Sequence, residues 1–122
     1  MFSICNRSKI LKIIFLREFD IRIIYIMGVE LMIGFEEKVL QAYPQKIGKI
    51  AEYLSKNDAI RNMYNFPSME EIISKLNEPS LRVFNNDSGV LTYCNHEFDN
   101  IHVIDLEFDG ILERFFEVCI DG

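Results

Sequence analysis

The stretches IHVIDLEF (residues 101–108) and RFFEVCID (residues 114–121) decide the fold of this chain. Apolar residues alternate with acidic residues in both, as in strands that each bury one face. Asp109-Gly110 lies between them and suits a tight reversal, because glycine adopts a positive φ without steric cost. The two stretches therefore predict an antiparallel hairpin with one apolar face and one acidic face.

The length of the connecting loop decides which side chains share a face, because side chains alternate along a strand. An odd number of loop residues places the apolar residues Phe116, Val118 and Ile120 on the same side as Ile104 and Leu106. An even number places Glu113 and Glu117 there, at a cost on the order of several kcal/mol for buried charge. We therefore predict a loop of three or five residues that begins at Asp109-Gly110.

With this register, the second face of the hairpin gathers acidic side chains around an exposed aromatic ring. Such a combination resembles a protein-binding patch, and the alternative is a solvated face whose charges serve solubility. The candidate partner-binding residues are Asp105, Glu107, Phe115, Glu117 and Asp121.

Residues upstream of the hairpin predict two more strands and three apolar stripes at helical spacing. Leu81–Phe84 and Val90–Cys94 are the predicted strands, joined by a loop rich in turn-forming residues. Helices followed by strands indicate an α+β fold, with N-terminal helices packed on one face of a four-stranded antiparallel meander sheet. The stripes are Phe35, Val39, Leu40 and Tyr43; Ile47, Ile50, Ala51 and Leu54; and Met69, Ile72, Ile73 and Leu76.

Three polar or breaking signals predict where these helices begin and end. Pro44 is expected to interrupt the first helix at Tyr43 and to start a new one. Asn57-Asp58 is expected to cap a short helical turn. Ser68 and Glu71 have the spacing of a capping box, in which the hydroxyl accepts a hydrogen bond from a free N–H of the first turn.

The first 31 residues differ from the rest in composition. They are apolar and mildly basic, but charged residues in the middle of the segment (Arg17, Glu18, Asp20 and Arg22) argue against a membrane span. Gly28-Val29-Glu30 could be encoded by a purine-rich ribosome-binding site ahead of a start at Met32. We therefore expect residues 1–31 to be a translated leader or poorly ordered extension, and residues 32–122 to form a single α+β domain.

Charge and cysteine content limit the classes of function. The chain has 19 acidic and 13 basic residues, and after Pro79 only Arg82 and Arg114 oppose nine acids. Such a surface disfavours nucleic acid and favours a basic protein partner. The three cysteines are far apart and form no CxxC motif, which indicates a reducing, cytoplasmic location without cofactors, although a Cys94–Cys119 bridge is an alternative.

Few residues suggest catalytic chemistry. The sequence contains neither a phosphate-binding glycine loop nor a nucleophile-elbow or zinc-protease motif. His96, Asp99 and His102 are the residue types of a metal site, so a small metal-binding domain or metal-dependent enzyme is the second hypothesis. A third is an assembly subunit that pairs through the edge strand at Leu81–Phe84.

The acidic composition and the order of short helices followed by a sheet that ends in FEVCIDG at residues 116–122 resemble cytosolic bacterial immunity proteins of polymorphic-toxin and contact-dependent inhibition systems. The resemblance covers residues 32–122 and is one of size, charge and general character. It implies a non-enzymatic inhibitor that binds a toxin domain and blocks its active site. Many such toxins are basic nucleases, so an acidic face would steer association and occupy the phosphate-binding groove.

Overall fold

The computed structural model describes residues 19–65 and 68–122. Three helices precede four strands in this part of the chain. The helices are α1 (Phe19–Lys56), α2 (Asp58–Met63) and α3 (Met69–Leu76), and the strands are β1 (Ser80–Val83), β2 (Ser88–Tyr93), β3 (Val103–Asp109) and β4 (Arg114–Asp121).

The strands form one antiparallel sheet in the order β1-β2-β3-β4, so each strand pairs with the next one along the chain. One face of the sheet packs against the helices around a core that includes Ile50, Leu54, Tyr93 and Phe108. The predicted α+β class and the four-stranded meander are therefore confirmed.

Helix α1 continues through Pro44, so the predicted interruption at this residue is wrong. Proline inside a helix removes one backbone hydrogen bond and costs about 3 kcal/mol. Pro44 lies on the exposed side, and buried residues on either side of it, Val39 and Ile50, hold the helix against the sheet. Packing on both sides thus outweighs the local signal. Leu40, predicted as a core residue, is 54% exposed.

Two apolar residues in the N-terminal half of α1 are largely exposed. Met27 and Leu31 are 60% and 59% exposed, whereas Met32 packs against the core and Phe35 is buried. Residues 1–18 lie outside the described residues. The expectation that residues 1–31 are a leader or extension remains a prediction. Among the residues whose side chains the structure describes, from Met27 onward, Met32 is the first that packs against the core.

The predicted capping hydrogen bonds of Asn57 and Ser68 are confirmed, whereas the Glu71 carboxylate, expected to reach back and complete the capping box, pairs with Lys75 at 3.2 Å instead. The Asn57 side chain accepts a hydrogen bond from the Ile60 N–H at 3.2 Å, and the Ser68 hydroxyl accepts one from the Glu71 N–H at 3.3 Å. Helix α3 ends at Asn77, whose φ of 57° lies in the left-handed region. Its first residue, Met69, is 37% exposed rather than core.

The loop between β3 and β4 contains four residues, 110–113, and not the predicted three or five. A β-bulge compensates for the even loop and returns the apolar residues of β4 to the core face. Phe108 pairs with Phe115, whereas Glu107 pairs with Glu117. Phe116 is the extra residue on β4. Val118 and Ile120 therefore share the core face with Leu106 and Ile104, as expected, but because of the bulge in the strand and not because of the loop length. Phe116, predicted on the same face, is exposed.

Candidate functional site

The outer face of the sheet, which faces away from the helices, carries the predicted acidic residues. Cross-strand pairing places Glu107 opposite Glu117 and Asp105 opposite Cys119, while Asp121 pairs with Val103. We call Asp105, Glu107, Glu117 and Asp121 the acidic face. The sequence analysis assigned these four residues to one side, and the structure brings them together there.

Glu107 and Glu117 form a like-charged pair in the middle of the acidic face. Partial burial, a hydrogen bond with the Glu117 carboxyl group and the negative charge of that group raise the pKa of Glu107 above its ordinary value. The positive charge of Arg82 opposes this effect. Directly opposed like charges destabilise a sheet, so this pair is a local cost in the isolated protein.

Arg82 limits the acidic face on the β1 side. It pairs with Val90, which in turn pairs with Glu107. The guanidinium carbon lies 5.3 Å from the centre of the Phe84 ring, a cation–π arrangement. Val90 points to the outer face but is only 4% exposed. The long side chains of its neighbours Arg82 and Glu107 account for this cover.

Polar contacts hold the remaining outer-face carboxylates in place. The Thr92 hydroxyl donates to the Asp105 carboxylate at 2.6 Å, across the β2–β3 pair. Arg114 forms an ion pair with Asp109 at the loop end of the hairpin, and this contact raises the pKa of Arg114. Asp109 is therefore neutralised within the chain, whereas the acids further along the hairpin form the acidic face.

The two described cysteines, Cys94 and Cys119, are both free, so the alternative bridge between them is not present. Burial, followed by the charges of Glu117, Asp121 and other acids, raises the pKa of Cys119. A raised pKa keeps the thiol protonated and weakly nucleophilic. Cys119 therefore contributes a neutral side chain between the acids.

The predicted exposure of Phe115 is wrong. Phe115 is buried, with its ring centre 5.6 Å from that of Tyr53, because the four-residue loop places it opposite the core residue Phe108. Phe116 is the exposed aromatic residue beside Glu117, with 49% of its surface accessible. Two adjacent phenylalanines carry no sequence signal that shows which of them the bulge exposes.

A second polar cluster surrounds Asp99, in the connection between β2 and β3. Its carboxylate accepts hydrogen bonds from the Tyr64 hydroxyl at 2.6 Å and the His102 ring at 2.7 Å, and from the backbone N–H groups of Ile101 and His102. Desolvation alone would raise the pKa of Asp99, but these four donors outweigh it and hold the pKa well below the ordinary value of 3.8.

The histidine geometry does not fit the metal hypothesis. His96 is buried, its Nε2 donates to the His102 carbonyl at 2.7 Å, and its Nδ1 accepts from the Phe98 N–H at 3.1 Å. Both ring nitrogens are thus committed to the backbone, which leaves no lone pair for a metal ion. His102 and Asp99 instead bind each other, and the described residues contain no group of three potential ligands with suitable geometry.

Surface grooves lie away from the acidic face. A groove of about 540 Å³ between α1 and α3 is lined by Tyr43, Ile47, Ile73 and neighbouring residues. A second, of about 470 Å³, lies where α1 and α2 approach the start of β4, beside Tyr53 and Arg114. Neither of these two grooves is lined by a residue of the acidic face.

Comparisons with known proteins add no relative to these observations. Models of protein families, curated proteins and solved structures were compared with the chain, and none matched. Of the helices that the structure describes, none contains a stretch long and apolar enough to cross a membrane.

Proposed function

We propose that this chain is a non-enzymatic protein-binding module, and most concretely an immunity-type inhibitor that binds a basic toxin domain through the acidic face. The observation that carries the proposal is the opposed pair Glu107 and Glu117, flanked on the same face by Asp105 and Asp121. A lysine or arginine of a partner placed between the two glutamates would replace repulsion by attraction. Binding would then remove the repulsion between the two glutamates that destabilises the isolated chain.

Two further features support a protein partner. Phe116 offers an exposed aromatic ring beside the acids, and aromatic residues are common anchors of interfaces. The acidic face also lies on paired strands, so the backbone beneath its side chains is already ordered before binding. Both features suit a preformed surface for a folded or extended basic partner.

A pull-down from native lysate tests the proposal. The wild-type chain is compared with the Asp105→Lys/Glu117→Lys variant at low and moderate salt, and captured proteins are identified by mass spectrometry. We expect the wild type to retain a basic protein that the variant loses, and we expect less of it at higher salt, because screening weakens charge pairs between exposed groups. The identified partner is then assayed for its own activity, which an immunity-type inhibitor must reduce.

A matched control distinguishes the effect of the acidic face on binding from the effect of net charge. Glu37→Lys/Glu70→Lys changes the net charge by the same amount, but at exposed positions on α1 and α3. This control should bind like the wild type. Equal loss of the partner in both variants would show that only net charge matters, and retention by both would remove the acidic face from the interface. A partner whose activity is unchanged by the bound chain would exclude the inhibitor role.

A further inference from the structure

Strand β4 is an edge of the sheet. It pairs with β3 along residues 114–121, and among the strands that the structure describes none lies on its other side. An edge strand leaves alternate backbone N–H and C=O groups open to another strand. Beyond the bulge, Glu117, Cys119 and Asp121 are exposed, and Val118 and Ile120 are partly buried beside the core.

The opposite edge, β1, differs in length and charge. It has four residues, and its outward-facing side chains include Arg82. Strand β4 has eight residues, and the part that follows the bulge presents two carboxylates on its outer side and aliphatic groups on its core side. The two edges would therefore select partners of different charge.

A second copy of β4 is a poor match for this edge in the register that is centred on Cys119. In an antiparallel pair of β4 strands centred on Cys119, Glu117 of each copy would lie opposite Asp121 of the other. Like charges directly opposed across strands are destabilising. The same positions become favourable when the added strand carries lysine or arginine.

We propose that β4 accepts an extended basic segment of the partner protein as a fifth strand of the sheet. This inference rests on the proposed function, because it states how the basic partner engages the acidic face. Backbone hydrogen bonds to the edge supply affinity in such an arrangement, and alternate side chains supply specificity.

The alternation along β4 defines the segment that would fit. On the outer side, cationic residues would lie next to Glu117 and Asp121. On the core side, aliphatic residues would extend the surface formed by Val118 and Ile120. The partner segment is therefore expected to alternate basic and aliphatic residues over about five positions, because successive side chains of a strand point to opposite faces.

The test uses the full chain and a short synthetic peptide that alternates lysine and valine. Hydrogen exchange of the backbone amides is followed by NMR with and without the peptide at millimolar concentration. We expect slower exchange at alternate amides of residues 116–121, which are those that do not already donate to β3. The amides of β1 serve as an internal control and should not change, because Arg82 repels the peptide.

Two matched reagents distinguish strand addition from simple charge attraction. A peptide with the same side chains but N-methylated amides cannot donate to the β4 carbonyls, and its methyl groups block the close approach that strand pairing needs. It should therefore give no added protection. The variant Glu117→Gln/Asp121→Asn should weaken binding of the parent peptide by roughly two- to thirtyfold, since it removes two exposed charge pairs.

The inference is overturned if the parent peptide protects no β4 amide, if the N-methylated peptide binds equally well, or if the chain forms a dimer through β4 by itself. These results can be told apart from failure of the proposed function. A basic partner captured through the acidic face together with unprotected β4 amides would keep the binding role and reject the added strand. Protection by the peptide without any captured partner would keep the strand site and reject the inhibitor role.

Discussion

Single carboxylates in this protein behave in opposite ways because their neighbours differ. Asp99 is surrounded by hydrogen-bond donors, and its pKa is lowered. Glu107 faces another glutamate, and its pKa is raised. The first therefore favours the folded state at neutral pH, and the second opposes it.

Replacing Glu107 by glutamine should stabilise the protein at pH 7 by about 0.5–1 kcal/mol, the size of a cross-strand charge effect. The folded wild type binds this proton more tightly than the unfolded chain, so the contribution of Glu107 to stability falls as pH rises from 4.5 through its raised folded pKa. The gain should disappear below pH 4.5. Urea unfolding across this pH range measures the gain in stability, and Glu37→Gln on α1 is the control. An equal gain in both variants would show that repulsion between Glu107 and Glu117 is not the cause.

The Asp99→Asn substitution should destabilise the fold by about 1–3 kcal/mol at pH 7, because it weakens hydrogen bonds from Tyr64 and His102 and removes a charged acceptor. The folded pKa of Asp99 is lowered, so its contribution is present above 3.8 and is lost as pH falls below that value. Wild type and variant should therefore converge in acid. The loss is complete only below the lowered folded pKa, so chemical unfolding at a series of pH values from 7 down to 2 should show the difference shrinking as pH falls. A difference that does not change with pH would point to packing instead of charge.

At the scale of the element, packing overrides a local breaking signal in α1. Pro44→Ala should restore a backbone hydrogen bond and raise the free energy of unfolding by about 1–2 kcal/mol, less than the full cost of a helical proline because proline also restricts the unfolded chain. Gln45→Ala, at the next exposed position, is the matched control and should change little. A loss of stability in Pro44→Ala would mean that α1 needs a bend at this residue.

The bulge in β4 predicts an unusual tolerance to deletion. Removing Phe116 leaves Phe115 opposite Phe108 and Glu117 opposite Glu107, now in a regular ladder. Stability should therefore stay within about 1 kcal/mol of the wild type, near the range of ordinary surface changes. Inserting one alanine after Glu117 should be far more damaging, because Val118 and Ile120 would turn to the outer face. Thermal unfolding of both variants tests this, and a similar loss in both would show that the bulge itself is needed.

At the scale of the whole molecule, the core residues among the described side chains lie from Met32 onward. A chain that begins at Met32 should have a free energy of unfolding within about 1 kcal/mol of that of the full chain, because Met27 and Leu31 are largely exposed. Denaturant unfolding and the NMR spectrum of the shortened protein provide the comparison. A large loss of stability or of native signals would show that the preceding residues belong to the domain.

The sequence by itself determined the features that depend on local pattern. The alternation in residues 101–108 and 114–121 predicted both strands and the shared side of the four acids, since a strand has only two faces. The caps at Asn57 and Ser68 were also predictable, because one side chain satisfies a backbone donor three residues away.

Only the tertiary structure decided the features that depend on competition between distant contacts. The four-residue loop places Phe115 opposite Phe108 in the core, and the bulge at the exposed Phe116 then keeps Val118 and Ile120 on the core face. Tertiary packing also explains why α1 continues through Pro44. It likewise places His96 so that both of its ring nitrogens form hydrogen bonds with the backbone. In each case the packing of residues far apart in the chain outweighs a preference of the local sequence, and that balance is settled only when the whole core is assembled.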